Sequence, residues 1–412
     1  MSLNVTRNRL MAAVAAGLVF VAQATLADDD HETKEAWRLF VADHTQPVVR
    51  AIDFESGKEL GRYDTKGYAA LTASASGQTV FATQSDSDIV HVIRTGIEFS
   101  DHGEHRDLDV SDAGLLPVTF EGKRPFHVVP HDDHAILFYD RGGKAEIIDE
   151  AALLEGKADV RTIDTTAPHH GVAVTMGKFV LVSAPDTEAK TKPDELPPRI
   201  GLRVIDEKGE QVGDITKCTD LHGEATSARL IAVGCKEGVL VARPGGTGGP
   251  KLEMLNYPEN LPKGYVGTLL GGRTMQFFLG NYGEDKVVLI DPDGKEPYRL
   301  VELPTRRVDF ILDPADPRNA YILTEDGNLH VLDVIKGEIV RKANVTEPYS
   351  KDGHWRDPRP RLAVADGRIA LTDPRHALVR VIDAETLKET RTIPVEGQPF
   401  SIVAVGGSGA SH

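Results

Sequence analysis

Basic charge is what this 412-residue chain most lacks: 47 lysines and arginines stand against 63 aspartates and glutamates, a formal net charge of −16. That balance excludes nucleic acid and anionic membrane as partners, since both need a basic surface. It suits the attraction of cations, as any acidic surface does. Long apolar runs are lacking too. The one candidate, Leu10 to Ala22, is shorter than the roughly 20 residues a helix needs to cross a bilayer. It follows Arg7 and Arg9 and ends near the small residues of Ala22-Gln23-Ala24 and Thr25-Leu26-Ala27. Residues 1–27 therefore read as a bacterial-type secretory signal, and the mature chain is expected to be soluble and periplasmic.

Cysteine is scarce, with only Cys218 and Cys235 present. In an oxidising compartment a single pair is most simply a disulfide; two thiolate ligands for zinc are the alternative and need a reducing environment. With no free cysteine and no Gly-x-Ser-x-Gly elbow, nucleophilic catalysis has no support. Gly245-Gly246-Thr247-Gly248-Gly249 lacks the lysine and following helix of a phosphate loop and reads as a hairpin turn between outer strands. Helical periodicity is absent after residue 36, where short apolar strands and polar turns take over.

One pattern recurs: a strand ending in Ile-Asp or Leu-Asp, a turn, then another strand. It occurs at Pro47 to Phe54 followed by Glu55-Ser56-Gly57-Lys58, and again at Val287 to Asp291, Leu329 to Asp333 and Val379 to Asp383. Repetition at this spacing predicts an all-β fold, a single β-propeller of four-stranded blades. Innermost strands are expected to begin near Tyr68, Phe126, Gly171, Glu224, Gly267, Asp309, Arg361 and Phe400. That makes eight blades, or seven if the Glu224 unit, poor in β-branched residues, is not one. The last strand has no successors and Trp37 to Tyr63 has no first strand, so N- and C-terminal strands should share one blade and close the ring. The division is then a signal at 1–27, a flexible acidic arm at 28–35, the propeller at 36–407 and a flexible tail at 408–412. The arm contains Asp28-Asp29-Asp30-His31-Glu32, a solvated terminus or a mobile arm that helps catch a metal ion. Lys190 to Pro198 reads as a surface loop within a blade.

Aligned on their innermost strands, Pro125-Phe126-His127 matches Pro168-His169-His170, and His170-Gly171-Val172-Ala173 matches His222-Gly223-Glu224-Ala225. Three consecutive blades thus carry a histidine at one point of the repeat, where blades converge on the central channel. Three converging imidazoles are what a zinc site requires, with a carboxylate or water as fourth ligand. Glu224, two residues past His222 and so on the same strand face, is one candidate for that place; Asp140 and Asp186 are others. A second cluster is expected on the opposite face, from His102 and His105 in Asp101-His102-Gly103-Glu104-His105-Arg106-Asp107 and His131 and His134 in the next blade's first turn. Each of these groups is also explicable as hydrogen-bonded strand starts and solvated turns. Because imidazole must be neutral to coordinate, affinity is expected to fall steeply below about pH 6.

The acidic exported propeller, the Asp-rich N-terminus, the loop at 101–107, the blade-start histidines and the one cysteine pair together resemble the AztD family of periplasmic zinc chaperones. The resemblance covers essentially the whole mature chain, on motifs that are short and individually unspecific. It implies a propeller, Zn2+ as cargo, no enzymatic activity, and direct transfer to the solute-binding protein of a zinc ABC transporter. A monomer is expected. The alternatives are a metal-dependent propeller hydrolase of the lactonase kind and a metal-free interaction platform. Quinoprotein dehydrogenases are disfavoured because their blades are locked by tryptophans and only Trp37 and Trp355 occur here.

Overall fold

A computed structural model describes Met1, residues 33–101, Gly103 and residues 106–410. Eight antiparallel sheets follow one another around a ring, seven of them four-stranded and in simple chain order within each blade. Innermost strands are Ala70–Ala73 (blade 1), Pro125–His131 (blade 2), Ala173–Met176 (blade 3) and His222–Ser227 (blade 4). Leu269–Gly271, Arg307–Leu312 and Leu362–Ala365 follow in blades 5 to 7. Blade 8 takes its innermost strand from the C-terminus, Pro399–Ala410, and its other three from Thr33–Asp43, Val48–Asp53 and Glu59–Asp64. The ring closes as the sequence predicts, and with eight blades. Among the described residues the only α-helix is the single turn Glu150–Leu154, and no helix is long and apolar enough to cross a membrane.

The strand pattern follows from position in the blade. Middle strands are covered on both faces by neighbouring blades, so Thr79–Gln84 is buried at every residue and Val48–Asp53 at all but its last. Continuous apolar runs are what doubly covered strands need. Outer strands meet solvent on one face and alternate, as Glu338–Asn344 does. Packing runs between blades: Ile136 and Phe138 of blade 2, Val180 and Val182 of blade 3, and Ile231 and Val233 of blade 4 share one core cluster.

One insertion bears on the second predicted cluster. A hairpin, Ile97–Asp101 with Arg106–Val110, is inserted between the third and fourth strands of blade 1. It extends the blade 8 sheet to six strands through a parallel pairing of Asp107 with Ala410. The ring-closing ribbon runs from Asp43 opposite Pro399 to Thr33 opposite Ala410. Lys190 to Pro198 lies in the loop between the second and third strands of blade 3, and the glycine-rich turn joins the outer two strands of blade 4. Apart from Met1, the expected signal at 1–27 and the arm residues 28–32 lie outside the described residues.

Candidate metal centre

Blades 2, 3 and 4 bring His127, His170 and His222 together. One ring nitrogen from each lies within 4.8 Å of the other two. His170 Nε2 is 3.4 Å from His127 Nε2 and 3.2 Å from His222 Nε2. The far side of two rings is committed to the protein: His170 Nδ1 is 2.7 Å from Asp140 Oδ2, and His222 Nδ1 is 2.6 Å from the Gly267 carbonyl oxygen. A carbonyl only accepts, so His222 must donate from Nδ1, and a carboxylate imposes the same on His170. With both rings neutral, their Nε2 atoms present lone pairs toward each other at contact distance, a repulsion that a metal ion between them, or a proton shared by the two rings, removes. Zinc–imidazole bonds of about 2.05 Å in a tetrahedron put neighbouring nitrogens about 3.3 Å apart, so the observed spacing fits zinc.

Electrostatics favour the coordinating, neutral form of His127 and His222. Burial pushes the His127 imidazole down to about 3, helped by the neighbouring His170 and His222. Burial also lowers His222, against the opposing pull of the Gly267 hydrogen bond. Phe126 fixes ring orientation, its edge-on contacts placing ring centroids 5.0 Å from His127 and 4.8 Å from His170. On its other side Phe126 meets Trp355, at 6.5 Å, from the loop that precedes blade 7. Cys218 and Cys235 are bonded to each other and bracket the loop and strand that carry His222.

The three histidines do not occupy one register position. His127 follows a bulge residue, Phe126, and pairs with Phe138. His222 precedes one, Gly223, and pairs with Gly234, while His170 lies upstream of its paired strand. By register the counterparts of His127 are Glu224 in blade 4 and Asp309 in blade 6, each the first paired residue past the bulge. The same bulge removes the shared strand face expected for Glu224 and His222. Its partner is Val233 and that of His222 is Gly234; adjacent partners point to opposite sides, so Glu224 and His222 do too. Burial raises the Glu224 carboxyl to about 7. Among the described residues no carboxylate joins the three histidines, Asp186 included. Asp140 reaches the back of His170 instead of the space between the nitrogens.

The second expected cluster is only partly visible. His102 and His105 lie outside the described residues. His131 and His134 close the hairpin between the first two strands of blade 2, with ring centroids 5.5 Å apart. Both nitrogens of His134 are engaged, with Asp133 at 2.9 Å and Thr175 at 2.6 Å. His169, adjacent to His170, is fully buried and hydrogen-bonded to Ala167 and Ser183, a core histidine.

Residues that sequence reasoning missed are those brought in from afar: the Gly267 carbonyl from blade 5, and Arg199, whose charge acts on both His127 and His222. A cavity of about 820 Å³ opens beside His222, with Arg199, Asp220, Lys236, Tyr265 and Asn281 in its wall.

No family model matches the chain. It is 43% identical over 410 residues to a protein named zinc chaperone AztD from Citrobacter koseri, covering 99% of this chain and 96% of that one. The crystal structure of C. koseri AztD superposes with a TM-score of 0.88 at 45% identity, over 92% of this chain and all of that one. The apo form gives 0.86 at 44% over the same shares. Dihydro-heme d1 dehydrogenase NirN, at 13% identity and a TM-score of 0.58, covers 89% of this chain and 74% of that one and shares the fold alone.

Proposed function

The chain belongs to the AztD family, and from that premise we propose that it is a zinc chaperone that binds Zn2+ through His127, His170 and His222. The observation that carries this reading is the pair of lone-pair-bearing Nε2 atoms held at tetrahedral spacing, with the opposite nitrogens tied to Asp140 and Gly267. Three protein nitrogens leave one tetrahedral position for water or an incoming ligand, as a transferable ion needs. The relative it resembles is named a chaperone, not an enzyme, and the hydrolase alternative is set aside.

The receiver we propose is the solute-binding protein of a zinc ABC transporter, with transfer by direct protein contact in the periplasm. The leader at 1–27 and the disulfide both support export to an oxidising compartment. His102, His105, His131 and His134 are proposed as a second, weaker site on the opposite face. Its weakness follows from His134, which must give up a bond before it can ligate.

The test is zinc stoichiometry of the purified mature protein, together with titration of His127→Ala, His170→Ala and His222→Ala. Each variant is expected to abolish the same tight site. Three independent, modest losses break the convergent model, and no saturable zinc binding at all returns the protein to the class of interaction platforms.

A further inference from the structure

A tetrahedral zinc on three histidines lacks one ligand, and no carboxylate among the described residues is placed to supply it. Of the three histidines, His222 lines a cavity whose wall also contains Arg199. Two cations stand in its wall. Lys236 is neutralised by an ion pair with Asp220. Arg199 has no such direct partner, although the Asp220 and Asp140 carboxylates lie near enough to act on it: Nε donates to the Leu221 carbonyl at 2.9 Å and Nη2 to the Asp220 carbonyl at 3.2 Å, both uncharged acceptors. Its Nη1 has no hydrogen bond among the described residues and is not among the buried atoms left without one, and Arg199 lines the cavity. Arg199 forms no ion pair among the described residues, although its charge is close enough to depress both His127 and His222.

A guanidinium beside a zinc site repels the cargo, unless an anion is bound between them. With two bonds to the loop just before His222, this cation is held in place and cannot swing away. We propose that Arg199 and the adjoining cavity form a carboxylate subsite. A carboxylate from outside the chain is held by Arg199 and becomes the fourth zinc ligand. Hand-off is then a ligand exchange: the carboxylate oxygen bonds to zinc, the His222 Nε2–zinc bond breaks, and no proton or electron need move. This rests on the reading that the three histidines hold zinc, and it adds the chemical class that recovers the ion, an acidic side chain or small carboxylate.

The experiment compares zinc release from the loaded protein to nitrilotriacetate, a tricarboxylate, and to 1,10-phenanthroline, which is neutral. The ratio of the two rates cancels any change in zinc affinity. Charge-assisted hydrogen bonding sets the expected effect: Arg199→Gln lowers the ratio by about tenfold and Arg199→Lys restores most of it. In the wild type, acetate is expected to shift the visible spectrum of the cobalt(II)-loaded protein saturably. An unchanged ratio in Arg199→Gln, a loss that Arg199→Lys does not rescue, or a wild-type spectrum indifferent to acetate each overturns the subsite while leaving the zinc site standing. A wild type that binds no zinc overturns both.

Discussion

Asp140→Asn removes one buried charge and keeps the side chain's shape. The carboxylate is 1% exposed, with Oδ2 2.7 Å from His170 Nδ1 and 3.7 Å from Arg124 Nε. Through the imidazole ring, that oxygen stands roughly 6–7 Å from a zinc ion on Nε2. A −1/+2 pair at this separation is worth about 5 kcal/mol at an effective dielectric of about 20. Two effects reduce what is lost. Arg124 cancels part of the field, and the asparagine oxygen still accepts the His170 proton. The expected outcome is the 10- to 100-fold weakening typical of a partner behind a metal ligand, about 1.4–2.7 kcal/mol. Competition against a chromophoric zinc chelator near neutral pH measures it. A dissociation constant within about twofold of wild type would mean that the Asp140–His170 bond does nothing for the metal and does not set the His170 tautomer for coordination.

The pH expectation from free imidazole shifts with the structure. Three ordinary histidines would cost up to about three log units of zinc affinity per pH unit below their pKa. With His127 pushed down to about 3 and His222 lowered, the slope between pH 6 and pH 5 should fall short of three, and a slope near three contradicts the buried site. In the zinc-free protein the sign is destabilising. The folded-state pKa of His127 lies below its unfolded value, so stability falls as pH drops from about 6.5 toward 3, by up to about 1.4 kcal/mol per pH unit. Urea midpoints that do not move across that range count against it.

Gly223 has φ of +73°, and a Cβ there would sit 2.7 Å from the Gly267 oxygen that holds His222. Gly223→Ala should therefore weaken zinc binding by at least about tenfold, with about 1–2 kcal/mol of backbone strain; an unaltered titration refutes the coupling. Replacing both Cys218 and Cys235 by serine opens a loop with a sequence separation of 17, which is expected to cost about 3 kcal/mol of stability. A thermal midpoint unmoved by the change would show the bridge to be dispensable.

The repeat, its eight units and the sharing of blade 8 between the termini are written in the sequence. Strand periodicity and the complementary gaps at either end are local properties that any blade must obey. Which histidines meet was also legible, because His127, His170 and His222 recur at blade starts, where chain order and space agree. What the sequence could not disclose was register. A bulge adds one residue without changing composition, and it turned Glu224 to the opposite side of its strand from His222 and made it the counterpart of His127. Nor could it disclose the partners supplied by other loops and blades. Asp140 is 30 residues from His170, Gly267 is 45 from His222, and Arg199, at the start of the third strand of blade 3, acts on His127 of blade 2. Periodicity reports which side chains are buried, and only the closing of the ring decides which of them meet.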